Sequence, residues 1–109
     1  MAYDERLGDR VRAALKGTRG LTEKRMFGGL CFLVSGNMCC GIVDDELMVR
    51  VGPDAYADAL ARPHAREMDF TGRPLTGYVY VAAPGLRHGR SLQAWVDRGV
   101  RFARTLPRK

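Results

Sequence analysis

The chain of 109 residues has little cysteine and no long apolar run. Its three cysteines, Cys31, Cys39 and Cys40, are odd in number, whereas secreted disulfide scaffolds have many evenly paired cysteines. No apolar run approaches the roughly 18 residues that a membrane-spanning helix needs. Residues 1–6 lack the apolar centre of a signal peptide. These absences predict a cytoplasmic protein with reduced thiols and no membrane partner.

The sequence also lacks the motifs that bring catalytic or metal-binding groups together. Its two histidines, His64 and His88, have no neighbouring nucleophile or carboxylate at a catalytic spacing, and they do not complete a zinc-ligand pattern with the thiols. No Gly-x-x-x-x-Gly-Lys phosphate loop surrounds Gly28 and Gly29. The acidic residues 44–46 are too few for a calcium loop and predict a tight turn. No catalytic, cofactor-binding or metal-binding residue is predicted, and no enzymatic activity.

Acidic residues are almost missing from the last quarter of the chain. The net charge of the whole chain is +6, and residues 1–84 hold equal numbers of basic and acidic side chains. Residues 85–109 contain seven basic residues and one acidic residue, Asp97. All of the net charge therefore lies in this segment, which predicts an acidic partner.

Patterns of apolar residues predict an α+β domain with the element order α-β-β-β-α-β-β-α. Such an order is typical of a two-layer domain in which helices pack on an antiparallel sheet, here of about five strands. The length of the chain predicts a single domain over residues 1–109. The predicted helices cover residues 2–16, 54–62 and 91–106, and the predicted strands cover residues 27–34, 38–43, 47–51, 67–70 and 77–81.

Several residues mark the architecture of this domain. Two consecutive glycines, Gly28 and Gly29, predict a bulge, a tight bend or a close backbone approach where a strand begins. The large apolar residues Phe27, Phe32 and Trp95 are expected to form the core.

The first predicted hairpin contains all three cysteines. A two-residue turn at residues 35–36 would place Cys31 opposite Cys40, where a redox switch or a metal site is an alternative to buried structural thiols. The adjacent residues Cys39 and Cys40 are expected on opposite faces of their strand.

The last predicted helix has one apolar and one basic face. Its apolar residues lie within an arc of about 120°, so Trp95 is expected to dock on the sheet. The arginines expected to face water on the opposite side, and to contact a partner, are Arg90, Arg98, Arg101 and Arg104. Arginines three or four residues apart present a line of bidentate donors to phosphate or carboxylate groups. A solvated face that keeps the protein soluble is the alternative.

One strand near the end of the sheet adds a second candidate surface. Tyr78 and Tyr80 share one face of this strand, opposite Val79 and Val81, and the tyrosines are expected to be partly exposed. Such tyrosines can stack on bases or on a protein partner. Packing against neighbouring strands within the sheet is the alternative.

Four stretches together resemble the TfoX/Sxy N-terminal domain family: Glu-Lys-Arg-Met-Phe-Gly-Gly at 23–29, Gly-Asn-Met at 36–38, Gly-Arg-Pro-Leu at 72–75 and Gly-Tyr-Val-Tyr-Val at 77–81. The resemblance covers nearly the whole chain. It implies an α+β fold and a role like that of regulators of competence genes, which assist a cyclic-AMP-responsive transcription activator. It implies no catalytic residues. Longer members carry a second, helical domain, and we expect a stand-alone short member here.

These observations predict a non-enzymatic interaction module that binds a protein partner through its basic last helix. Binding of DNA through the same helix is an open alternative. A small-ligand-binding or enzymatic domain, with a cleft near Cys31 or His64, is the alternative from another class. A chaperone-like domain that binds proteins without nucleic acid is a third. The open edges of the sheet predict a homodimer.

Overall fold

The computed structural model describes residues 3–26, 28–69, 72 and 75–108. The helices within this part of the chain are α1 (Glu5–Ala14), α2 (Tyr56–Leu60) and α3 (Gly89–Ala103), with a 3-10 turn at Ala83–Leu86. The strands are β1 (Leu21–Met26), β2 (Gly29–Val34), β3 (Asn37–Val43), β4 (Glu46–Arg50), β5 (Ala65–Glu67) and β6 (Tyr78–Val81). These described strands form one antiparallel sheet in the order β1-β2-β3-β4-β6-β5. The α+β class is confirmed.

Strand β1 is the element that the sequence prediction missed. It pairs with β2 along its whole length, from Leu21 opposite Val34 to Met26 opposite Gly29. Residues 22–25, in the middle of this edge strand, are exposed. A strand that is exposed on both faces has no alternation of apolar and polar residues, so the period-2 pattern is absent.

Other elements begin or end a few residues from their predicted bounds. Helix α1 begins after Asp4, because the Oδ1 atom of Asp4 accepts hydrogen bonds from the backbone N–H groups of Arg6 (2.9 Å) and Leu7 (3.2 Å). Helix α3 begins two residues earlier than predicted and ends at Ala103. Strand β5 covers Ala65–Glu67 rather than residues 67–70, and position 70 lies outside the described residues.

The glycine pair lies where β1 turns into β2. Gly28 has a φ of 72°, which glycine adopts without steric cost. Gly29 leaves no room for a side chain, since a Cβ there would collide with the carbonyl oxygen of Ile42 on β3. The predicted bend and close backbone approach are confirmed.

The core lies between one face of the sheet and the helices α1 and α3. Phe32 is fully buried and Trp95 nearly so, which confirms both as core residues, while Phe27 lies outside the described residues. Aliphatic side chains from α1, α3 and the central strands surround them: Leu7, Val11, Leu30, Ile42, Leu47, Val49, Val79, Val81, Leu92 and Val96.

The opposite face of the sheet carries a smaller cluster, in which Met48, Met68 and Tyr80 are buried and Tyr78 is partly buried. The two tyrosines share this face, as predicted. The expectation that both are partly exposed is wrong for Tyr80, because the methionines pack on it and the guanidinium of Arg66 lies 4.6 Å from its ring centroid. The alternative of packing within the sheet therefore holds for Tyr80.

A β-bulge changes the register of the first hairpin. The two-residue turn at residues 35–36 forms as predicted, with φ values of 50° and 84°. The register then shifts, so Phe32 lies opposite Cys40 and Cys31 lies opposite Gly41. The prediction that Cys31 faces Cys40 is wrong, because the bulge inserts one extra residue on β3.

Candidate functional site

Helix α3 carries the candidate interaction surface, and a glycine sets its distance from the sheet. Leu92, Trp95 and Val96 are buried on the side towards the sheet. Gly99 lies on the same side, where a Cβ would collide with the carbonyl oxygen of Cys39. Because of this close contact, one face of α3 is buried against the core and the opposite face is exposed to solvent.

Three of the four predicted contact arginines are exposed together, two of them on α3 and Arg104 at its C-cap. Arg90, Arg101 and Arg104 lie within an arc of about 60° at 100° per residue, and we name them the basic face. Asp97 lies within the same arc, where its carboxylate accepts a hydrogen bond from Gln93 (2.9 Å). Three cations therefore surround one anion, and the basic face keeps a positive charge.

Arg98, the fourth predicted contact, lies on a different side of the helix. Its guanidinium lies 5.3 Å from the ring centroid of Trp95 and donates a hydrogen bond to Asp58 Oδ2 on α2 (3.0 Å). Residues three apart are neighbours on a helix, so Arg98 lies beside the edge of the buried indole. The expectation that Arg98 faces water beside the other three is wrong, and its side chain is only 20% exposed.

Asp58 holds two arginines at once. Its Oδ2 atom, which accepts the bond from Arg98, also lies 3.5 Å from a terminal guanidinium nitrogen of Arg62. The hydrogen bond from Arg98, followed by the charge of Arg62, lowers the pKa of Asp58. The carboxylate thus keeps two guanidiniums side by side between α2 and α3.

An open groove of about 940 Å³ lies next to this ion pair. Residues from α2, from the loop after it, from the 3-10 turn and from α3 between Ser91 and Arg101 form its walls. We name it the basic groove after the basic side chains that line it, which are Arg62, His64, His88, Arg98 and Arg101.

The basic groove brings together two histidines that sequence reasoning treated as isolated. The backbone N–H of Ala82 donates a hydrogen bond to the carbonyl oxygen of His64 (2.9 Å), which extends the pairing of β5 with β6. This pairing brings the 3-10 turn and His88 alongside the loop that holds His64. The predicted cleft near His64 is present, whereas Cys31, the other predicted location, is buried in the sheet.

The thiols of Cys39 and Cys40 lie on the same side of β3. Their Sγ atoms are 3.8 Å apart, so the prediction that they occupy opposite faces is wrong, because the bulge interrupts the alternation of side chains. Burial raises the pKa of Cys31, and the hydrogen bond with Cys39 together with burial raises the pKa of Cys40. Over the described ranges, no group of three or more His, Cys, Asp or Glu residues is arranged to hold a metal ion.

The chain is similar to one known protein family over most of its length. The model of the family described as TfoX N-terminal domain matches residues 13–103 of the 109 residues. Comparisons with curated proteins and with solved structures gave no match. Among the helices described, none has the length and apolar character needed to cross a membrane. The matched range contains every strand of the sheet and all residues named for the basic groove.

Proposed function

The chain belongs to the TfoX N-terminal domain family, which is associated with competence and regulatory proteins, and on this premise we propose that it is a regulatory module whose basic face binds an acidic partner. The sheet and α1 position α3, and α3 supplies the contacts. The partner is a protein of the transcription machinery or the phosphate backbone of DNA, and no covalent chemistry takes part.

The observation that supports this proposal is the exposed alignment of Arg90, Arg101 and Arg104 in the segment that carries the whole net charge. At a rise of about 1.5 Å per residue, the Cα atoms of the three arginines span about 21 Å along α3 and its C-cap. Measured along the axis of a DNA duplex, this length covers about six base-pair steps. Guanidiniums make bidentate hydrogen bonds with phosphate or carboxylate oxygens, so this spacing suits an extended acidic surface.

Fluorescence anisotropy with mixed-sequence duplex DNA tests the nucleic-acid form of this proposal. If the basic face makes three phosphate contacts, affinity should fall about 40-fold between roughly 50 and 200 mM salt, because bound counterions are released. The variant R90E/R101E/R104E should lose binding. The matched control R19E/K24E/R25E changes three exposed cations outside α3 by the same charge and should retain most of it.

Equal losses in both variants would show that only net charge matters and would contradict the basic face as a binding surface. Absence of DNA binding at low salt would direct the search to acidic protein partners of the same face. A homodimer through the exposed edge strand β1 stays a prediction, which sedimentation of the same samples tests.

A further inference from the structure

We propose that the basic groove is a binding site for a small organic phosphate monoester. Arg101 lines the groove and also belongs to the basic face, but the proposal does not rest on the regulatory function above, because the expected phosphate contacts, Arg62 and Arg98, lie outside the basic face. The chemistry of the groove walls, the way its side chains are held and its size support this ligand class.

Two guanidiniums of the groove, those of Arg62 and Arg98, share Asp58 as their carboxylate partner. Asp58 Oδ2 lies 3.0 Å from Arg98 and 3.5 Å from Arg62, and each of these contacts uses one terminal nitrogen of a guanidinium. Each guanidinium has five N–H donors in a planar fork, so most donors stay available to a phosphate. Asp58 is therefore a positioning residue, and the two arginines are the expected phosphate contacts.

The backbone and a neighbouring glycine hold His64 at the edge of the groove. His64 has a φ of 69°, a conformation that non-glycine residues seldom adopt, and its carbonyl oxygen accepts the hydrogen bond from Ala82. A Cβ at Gly85 would lie 2.8 Å from the Cβ of His64, so glycine is needed there for His64 to occupy this position. Backbone strain of this kind is often concentrated at ligand sites.

The start of α3 adds further donors to the same groove. His88 is the N-cap residue, its side chain makes no capping hydrogen bond, and the first turn contains no acidic residue. Ser91, in that first turn, also lines the groove. Uncapped backbone N–H groups and the helix dipole favour an anion over a cation here.

The size and apolar walls of the groove favour an organic ester over a free ion. A volume of about 940 Å³ falls in the range typical of small-molecule sites and far exceeds one phosphate. Pro63, Pro84 and the small exposed part of Trp95 add apolar surface to the groove walls. The phosphate would contact Arg62 and Arg98, and the organic part would pack against this surface.

Trp95 is the only tryptophan of the chain, so its fluorescence reports on the groove directly. The experiment titrates the protein with glycerol phosphate, with inorganic phosphate and with succinate at constant ionic strength. We expect a saturable change with glycerol phosphate at concentrations up to about 10 mM, a range that detects even a dissociation constant of about 1 mM. Glycerol phosphate should bind more tightly than inorganic phosphate, and succinate should bind least.

Two variants on the groove and one on the basic face complete the test. Arg62→Gln should weaken glycerol phosphate binding about ten-fold, since it removes a charged hydrogen-bond donor, and His64→Asn should also weaken it while tolerating the positive φ. The control Arg104→Glu, at a residue that does not line the groove, should retain its affinity within about two-fold while weakening any DNA binding. Circular dichroism confirms that each variant is folded.

Each remaining outcome overturns a defined part of the inference. A groove that gives no saturable response in the wild-type protein is not a phosphate site. Equal binding of succinate contradicts the phosphate class, and equal binding of inorganic phosphate contradicts the organic ester. Unchanged affinity in both groove variants, with loss in Arg104→Glu, would transfer the binding to the basic face.

Discussion

The two faces of the sheet are covered by different means. On one face, α1 and α3 cover aliphatic and aromatic side chains, and glycines let backbones approach closely. On the other face, within the described residues no helix packs, and Met48, Met68 and Tyr80 bury one another, with the guanidinium of Arg66 over the Tyr80 ring. Helices exclude water with large, rigid surfaces, whereas long side chains lie flat and keep their polar ends in solvent. The helix-covered face should therefore contribute most of the stability.

The same difference explains where the functional surfaces lie. Helix α3 is anchored by Trp95 and by the contact at Gly99, so its outer face is presented in a fixed orientation. The basic groove also lies on this side, between α2 and α3. The predictions below test this contrast between the two faces of the sheet.

Truncation of the central core residue should have the largest effect. Phe32→Ala should lower the free energy of unfolding by about 4 kcal/mol, because it leaves a cavity in a fully buried site. Urea unfolding monitored by circular dichroism measures this change. Leu75→Ala, at an exposed position, should change it by less than about 0.5 kcal/mol. Similar effects of both variants would contradict a core concentrated under the helices.

Addition of one methyl group between α3 and the sheet should have the next largest effect. Gly99→Ala should destabilise the protein by about 2 kcal/mol, because the new Cβ meets the carbonyl oxygen of Cys39. Trp95 fluorescence and chemical unfolding report the displacement and the stability. Gly89→Ala at the start of the same helix is the matched control, since a Cβ there meets nothing within 4 Å. If Gly99→Ala is as stable as this control, the helix does not dock as closely as described.

Thiol labelling should distinguish the two faces without a mutation. Cys31 is 4% exposed and lies with Met48 on the face that has no helix, whereas Cys39 and Cys40 are fully buried beneath α3. Cys31 should therefore react with iodoacetamide at least about ten-fold faster than Cys40, whose pKa is raised well above its usual value, a difference equivalent to about 1.4 kcal/mol. Mass spectrometry of timed digests measures the labelling rate of each cysteine. The same measurement on urea-unfolded protein gives the rates of the exposed thiols, against which the native rates are compared. Equal native rates would mean that both faces open together.

Removal of a cation from the face without a helix should have the smallest effect. Arg66→Ala removes an ion pair with Glu46 and the contact with the Tyr80 ring, yet its side chain is 52% exposed. Water already solvates such a guanidinium, so the loss in unfolding free energy should stay below about 1 kcal/mol. Thermal unfolding of R66A, E46Q and the double variant isolates the ion pair. A loss as large as that of Phe32→Ala would show that this face contributes equally.

Sequence patterns revealed the elements that have one buried and one exposed side. Val79 and Val81 alternate with Tyr78 and Tyr80, so the pattern of side chains alone assigns the two faces of β6. Strand β1 escaped prediction because exposure on both sides removes that alternation. The bulge at Cys39 was equally unpredictable, because an extra residue in a strand depends on how the paired strand and α3 pack against it.

The sequence by itself determined the α+β class, the amphipathic last helix and the concentration of net charge in the final quarter, because these follow from local periodicity and composition. Only the tertiary structure placed Arg98 beside Asp58 and Arg62 rather than beside the arginines of the basic face. It also placed His64 and His88 in one groove. The contact of Arg98 with Asp58 and the meeting of the two histidines join residues far apart in the chain. They depend on β6 lying between β4 and β5, and local sequence patterns contain no information about that order of strands.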